Sequence, residues 1–276
     1  MNGWGVGWRR AALTGLGAST VLAAAMSLGG CSSMNTSAVE AEKDTVSADG
    51  ETDVRRRARI RLELAASYLQ RGQTSVALEE TRQALTTDPR FTDAYHLRGL
   101  IYMQMGDLNL AEENLQKAQG MRPNDPDIMH NMGWLQCQKQ QYAQADELFD
   151  RALSIPTYMD RNKTLMSKGV CLVRSGKPDE AEPVLQKAYE FDAANPILGY
   201  ELAQLKFQKG DAKHAQFYIR RVNNGNFATA DSLWLGIKVE RALGDQPAVR
   251  QLAGQLHKRF PDSRQALAYE RGAFNE

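Results

Sequence analysis

The chain has 276 residues, of which 42% are hydrophobic and 24% charged. That is enough apolar content for one large domain or two small ones. Its formal net charge of +1, with no basic block longer than Arg55-Arg56-Arg57, excludes a nucleic-acid binder that works through a basic face.

The first thirty residues stand apart. Met1 to Arg10 holds Arg9 and Arg10 and no acid, and Ala11 to Leu28 is almost wholly apolar or small. This is the layout of a secretory signal rather than of a stable membrane span, because the run is rich in Gly, Ala, Ser and Thr. It ends in Leu28-Gly29-Gly30-Cys31. That ending resembles a bacterial lipobox, which implies that residues 1–30 are a signal peptide and that Cys31 is lipidated at sulfur. Several acyl chains, each contributing about 0.8 kcal/mol per buried CH2, would anchor the protein to a membrane. Ser32 in place of Asp resembles the outer-membrane class, so the expected location is the periplasmic face of the outer membrane. Residues 31–54 lack aromatic residues and read as a flexible tether.

From Ala58 onward the sequence repeats itself. Gly72, Gly106, Gln140, Gly176, Gly210 and Gly244 follow one another at intervals of 34, 34, 36, 34 and 34 residues. Five residues after each stand Ala77, Ala111, Ala145, Ala181, Ala215 and Val249, and a further seven bring Ala84, Ala118, Ala152 and Ala188. Each unit reads as two helices of about a dozen residues. A left-handed residue ends the first, and alanines on the second let neighbours approach closely. One such pair cannot bury its apolar face alone, so units must stack. The pattern resembles the tetratricopeptide repeat, most clearly from Ala94 to Pro123. It implies an all-α, right-handed α-α superhelix of about six repeats over residues 55–274. The units lie near 58–91, 92–125, 126–161, 162–195, 196–229 and 230–262, followed by a capping helix from Ser263 to Ala273.

The chain carries no HExxH, CxxC, phosphate-binding glycine loop or nucleophile elbow. No enzyme activity, metal, cofactor or small-molecule substrate is therefore expected, and His96, His130, His214 and His257 read as repeat-surface residues. Cys137 and Cys171 fall in the first helices of consecutive repeats. A disulfide closing a 34-residue loop is favoured in an oxidising compartment, the alternative being two buried thiols.

First helices line the concave side of such a superhelix. Placed on the repeat frame, the inward candidates for partner binding are Arg59, His96, Gln104, His130, Trp134, Gln138, Lys163, Arg174, Tyr200, Gln204, Phe207, Trp234, Lys238 and Arg241. Aromatic and arginine side chains dominate binding energy at open surfaces, and the same side chains also serve as packing within a repeat. The stretches HNMGWLQCQKQQYAQADELFDRALSIPTY (130–158), GVCLVRSGKPDEAEPVLQKAYEFDAANP (169–196), SLWLGIKVERALGD (232–245) and FPDS (260–263) resemble the PilF/PilW family of type IV pilus biogenesis lipoproteins. That resemblance implies a pilotin-like role, with the pilus secretin as partner and the repeat surface as grip. A second reading within the binding class is a lipoprotein adaptor for peptidoglycan enzymes.

Overall fold

A computed structural model describes residues 51–274; the signal peptide, Cys31 and most of the tether lie outside the described residues. Thirteen helices and no strand occur among them: α1 (Asp53–Gln70), α2 (Thr74–Thr87), α3 (Thr92–Met105), α4 (Leu108–Met121), α5 (Pro126–Gln138), α6 (Tyr142–Ser154), α7 (Arg161–Arg174), α8 (Pro178–Phe191), α9 (Pro196–Gln208), α10 (Ala212–Asn223), α11 (Ala230–Ala242), α12 (Gln246–Arg259) and α13 (Arg264–Glu270). None is long and apolar enough to cross a membrane. Helix α1 starts at Asp53, inside the stretch expected as tether. The Thr52 hydroxyl accepts from the Arg55 amide and satisfies an otherwise orphan donor.

The helices fall into two compact units, one ending at Ile101 and one beginning at Tyr102, with the boundary inside α3. In the described part of the first unit, α1 packs on α2 around Leu69, Ala77 and Ile101. In the second, α5 pairs with α6, α7 with α8, α9 with α10 and α11 with α12, and each second helix packs on the next first helix. The result is a tandem array in which contacts stay close in sequence.

The turn inside each pair has a positive φ, between 72° and 82° at Gly72, Gly106, Gly176, Gly210 and Gly244. Gln140 occupies the same conformation with φ 61°, the one non-glycine residue among the described residues to do so. Its amide still donates to the Cys137 carbonyl, and the Gln141 amide reaches back to that of Gln136. Close helix approach comes from the small residues. Ala111, Ala118, Ala145, Ala152, Ala181, Ala188 and Ala215 are fully buried. A Cβ on Gly169 would meet Leu185 at 2.5 Å, and one on Gly133 would meet the Phe149 ring at 2.9 Å.

The 36-residue interval arises in the α6–α7 connection. Tyr158 is buried there and its hydroxyl lies 2.8 Å from Thr164 Oγ1, while Arg161 donates to the Leu153 carbonyl. Glu240, buried on α11, accepts two hydrogen bonds from the Arg220 guanidinium and one from Gln216, tying α10 to α11.

Candidate functional site

Within the second unit, successive first helices touch, α5 with α7 and α9 with α11. Most of the side chains singled out from the repeat frame in this unit are on these four helices, half-buried or exposed.

Trp134 on α5 is half-buried and packs against two clusters at once. One is the main core running from Leu165 to Val239; the other contains Cys137, Phe149 and Cys171. The Arg174 guanidinium of α7 lies 4.8 Å from the Trp134 ring centroid, a cation–π distance. Beneath them, Cys137 and Cys171 form a disulfide with their Cα atoms 5.9 Å apart. The two sulfurs bridge α5 and α7 because the positions differ by about half a helical turn within their repeats.

On α9, Tyr200, Gln204 and Phe207 are half-buried, and Tyr200 and Phe207 pack against the main core. Burial pushes the Tyr200 phenol up to about 12. Glu201 lies beside it with its carboxyl raised above the usual carboxylate range, chiefly by burial, while Arg174 pulls the other way. On α11, Lys238 Nζ lies 5.8 Å from the Trp234 ring, and Arg241 is exposed. Lys163 and Gln138 are half-buried, and Gln104 is exposed. In the first unit, Arg59 pairs with Glu51 and Glu63, whose hydrogen bonds raise its already high pKa; His96 sits half-buried on α3.

Two assignments need correction. His130 is 2% exposed and cannot meet a partner. Its Nδ1 lies 2.9 Å from Thr164 Oγ1, and the Tyr158 hydroxyl shares the same oxygen. Thr164, with one proton and two lone pairs, joins α5, α7 and the α6–α7 connection. Trp234 is only 7% exposed because the Phe274 ring stacks on it at 5.5 Å. Both residues hold first-helix positions that face outward in the unpartnered frame, and both are covered by chain from elsewhere. Glu201 and Phe274 were absent from the repeat-frame candidates. The first follows a singled-out tyrosine by one residue; the second lies beyond the last helix, where the frame stops.

The comparisons with known proteins agree with the fold. The tetratricopeptide repeat model matches residues 92–125. The type IV pilus assembly protein PilF of Pseudomonas aeruginosa is 25% identical over 202 residues, covering 73% of this chain and 80% of that protein. The crystal structure of PilW, described as a widely conserved type IV pilus biogenesis factor, superposes with a TM-score of 0.70 at 28% identity, covering 77% of this chain and 97% of PilW. This chain is similar to PilF in sequence and to PilW in sequence and fold, and its fold is that of a tetratricopeptide-repeat protein. The fold likeness extends to the solved structure of Pseudomonas aeruginosa PilF, with a TM-score of 0.72 over 79% of this chain and 99% of that one, at 23% identity.

The first helices α5, α7 and α9 thus carry half-buried rings and amides, the exposed Arg174 beside Trp134, and a tyrosine and a carboxyl that are partly desolvated. Among the described residues no cluster of three His, Cys, Asp or Glu side chains could hold a metal.

Proposed function

We propose that this protein is a lipid-anchored scaffold of type IV pilus biogenesis that grips a protein partner through the first-helix face of its repeats. The observation that carries the reading is the likeness to PilW over 97% of that chain, supported by the sequence similarity to PilF over 80% of its length. The repeats supply a rigid surface and leave catalysis to other components. The lipid on Cys31 gives the address, the outer membrane, and residues 32–52 give reach from it. The partner we assign is the pilus secretin, whose multimerisation the scaffold promotes.

Deletion of the gene tests the reading. Secretin multimers on non-denaturing gels and twitching motility should both fall and return with the wild-type gene. Cys31→Ser should leave the protein out of outer-membrane fractions while the folded domain accumulates. Unchanged secretin multimers and unchanged twitching in the deletion strain would end the pilus assignment.

A further inference from the structure

The last repeat carries a filled site. After α13 the chain turns through Gly272 at φ +65°, with the Gly272 amide bonded to the Tyr269 carbonyl and the Ala273 amide to that of Ala268. The turn lays Phe274 onto α11. Its ring stacks on Trp234 at 5.5 Å and 18°, meets Tyr269 edge-on at 5.9 Å, and has the Arg241 guanidinium carbon 3.9 Å from its centroid.

Trp234 and Arg241 come from the first helix of their repeat, the helix type whose outer side carries Trp134, Arg174 and Tyr200 in the repeats before. The residue 34 positions before Trp234 is Tyr200, which is half-buried and on which, among the described residues, no ring or guanidinium stacks. The same place in two consecutive repeats thus carries a stacked ring in the later one and, among the described residues, none in the earlier. The occupant is a single aromatic side chain held by an indole, a phenol ring and a guanidinium, the groups that recognise a π-face and its edge. It arrives on a short stretch after α13 rather than from within a helix pair.

We propose that Trp234, Tyr269 and Arg241 form a receptor for an aromatic side chain, that Phe274 of this chain fills it as a built-in ligand, and that a partner segment presenting an aromatic residue after small residues displaces Phe274. A tethered ligand acts at an effective concentration in the millimolar range. A weak aromatic peptide is therefore kept out, and only a partner that also holds neighbouring repeats gains entry. The site stands independently of the pilus reading: its ligand chemistry is set by the residues that hold Phe274.

The test uses a hexapeptide with the sequence of residues 271–276, Arg-Gly-Ala-Phe-Asn-Glu, as probe, and the same peptide with Ala in place of Phe as control. The readout is the indole N–H resonance of Trp234, assigned by Trp234→Phe. The Phe274→Ala chain should bind the Phe peptide about tenfold more tightly than wild type does, in line with removal of a millimolar internal competitor. The Ala peptide should leave the resonance unmoved, and Trp234→Ala combined with Phe274→Ala, followed by calorimetric titration with the Phe peptide because the indole is then absent, should abolish binding. Equal binding by wild type and Phe274→Ala, or binding by neither, would overturn the proposal and leave Phe274 as packing alone. Should Phe274→Ala melt the α11–α13 region, Phe274→Leu retains apolar cover without the stack; the same two results then decide.

Discussion

Trp134 and Arg174 meet across the same two helices that the Cys137–Cys171 disulfide ties together, with the guanidinium 4.8 Å from the indole centroid. The covalent bond fixes the spacing of α5 and α7, and the cation–π pair is laid over it on the exposed side. The order of strength follows. A disulfide closing a loop of 34 residues restrains the unfolded chain by about 3–4 kcal/mol, whereas an exposed cation–π pair contributes about 0.5–1 kcal/mol. Arg174→Gln should therefore shift the melting temperature by only a few degrees. Reduction, or the Cys137→Ala/Cys171→Ala pair, should shift it several times more. Thiol labelling of the denatured, unreduced chain should find neither Cys137 nor Cys171 free; two labelled thiols there would remove the disulfide from the account.

The turn residue Gln140 sits at φ 61° where five other turns use glycine. A left-handed conformation costs a residue with a Cβ about 1–2 kcal/mol, while glycine costs roughly 0.5–1 kcal/mol in lost freedom on folding. Gln140→Gly should thus be neutral to stabilising, by up to about 1 kcal/mol, and should leave partner binding unaltered. A loss of stability by thermal or urea unfolding would show that the glutamine side chain has a role beyond the turn.

The opposite result is expected where glycine fills space rather than a turn. At Gly169 an added Cβ would lie 2.5 Å from the Leu185 side chain, which is itself fully buried and has nowhere to go. Gly169→Ala should cost about 1–3 kcal/mol by overpacking. Gly120→Ala serves as the comparison, since the residue is helical and nothing lies within 4 Å of the place its Cβ would take; it should be neutral or slightly stabilising. Equal effects at the two sites would contradict the packing of α7 on α8.

Those two kinds of glycine explain what the sequence made legible. Turn glycines and packing alanines recur every 34 residues because each repeat must solve the same steric problem, so the helix pairs could be read from spacing alone. Side-chain orientation between repeats could not. His130 occupies a face position, but Thr164 and Tyr158 close over it from the next helix and the longer connection. Trp234 is covered by Phe274, which belongs to no repeat and so has no place in a repeat frame. The cysteine pair was legible because its two members share nearly the same place in adjacent first helices.

Glu201 gives a pH-dependent test of the α9 surface. Its folded-state pKa is raised, chiefly by burial, so ionisation is less favourable in the folded chain than in the unfolded one. The linkage sign is that of a buried acid. Above the raised pKa the ionised carboxylate lowers stability, and stability recovers as pH falls through that value toward the ordinary carboxylate range. Glu201→Gln should therefore raise the melting temperature at neutral pH and lose that advantage near pH 4. An unchanged gain at both pH values would assign the effect to packing instead.

The first-helix face can be tested as a grip by separating folding from partner assembly at Trp134 and Tyr200. Trp134 packs on two clusters, one of them around the disulfide, and it is half-buried. Its truncation removes part of the roughly 3–5 kcal/mol that a fully buried aromatic contributes, so Trp134→Ala should lower melting by several degrees at roughly 2–4 °C per kcal/mol. Tyr200 packs against the main core and is half-buried, without the second cluster that Trp134 also packs against, so Tyr200→Ala should move melting less. For binding the expected order is different: a ring at the centre of a protein contact typically costs about 2 kcal/mol or more when removed, over tenfold in affinity. Tyr200→Ala should then reduce secretin multimers in cells while the purified chain still melts near wild type. Normal multimers with Tyr200→Ala, and normal multimers with Trp134→Ala at a temperature where that variant is folded, would move the grip from the first helices to the second helices of the repeats.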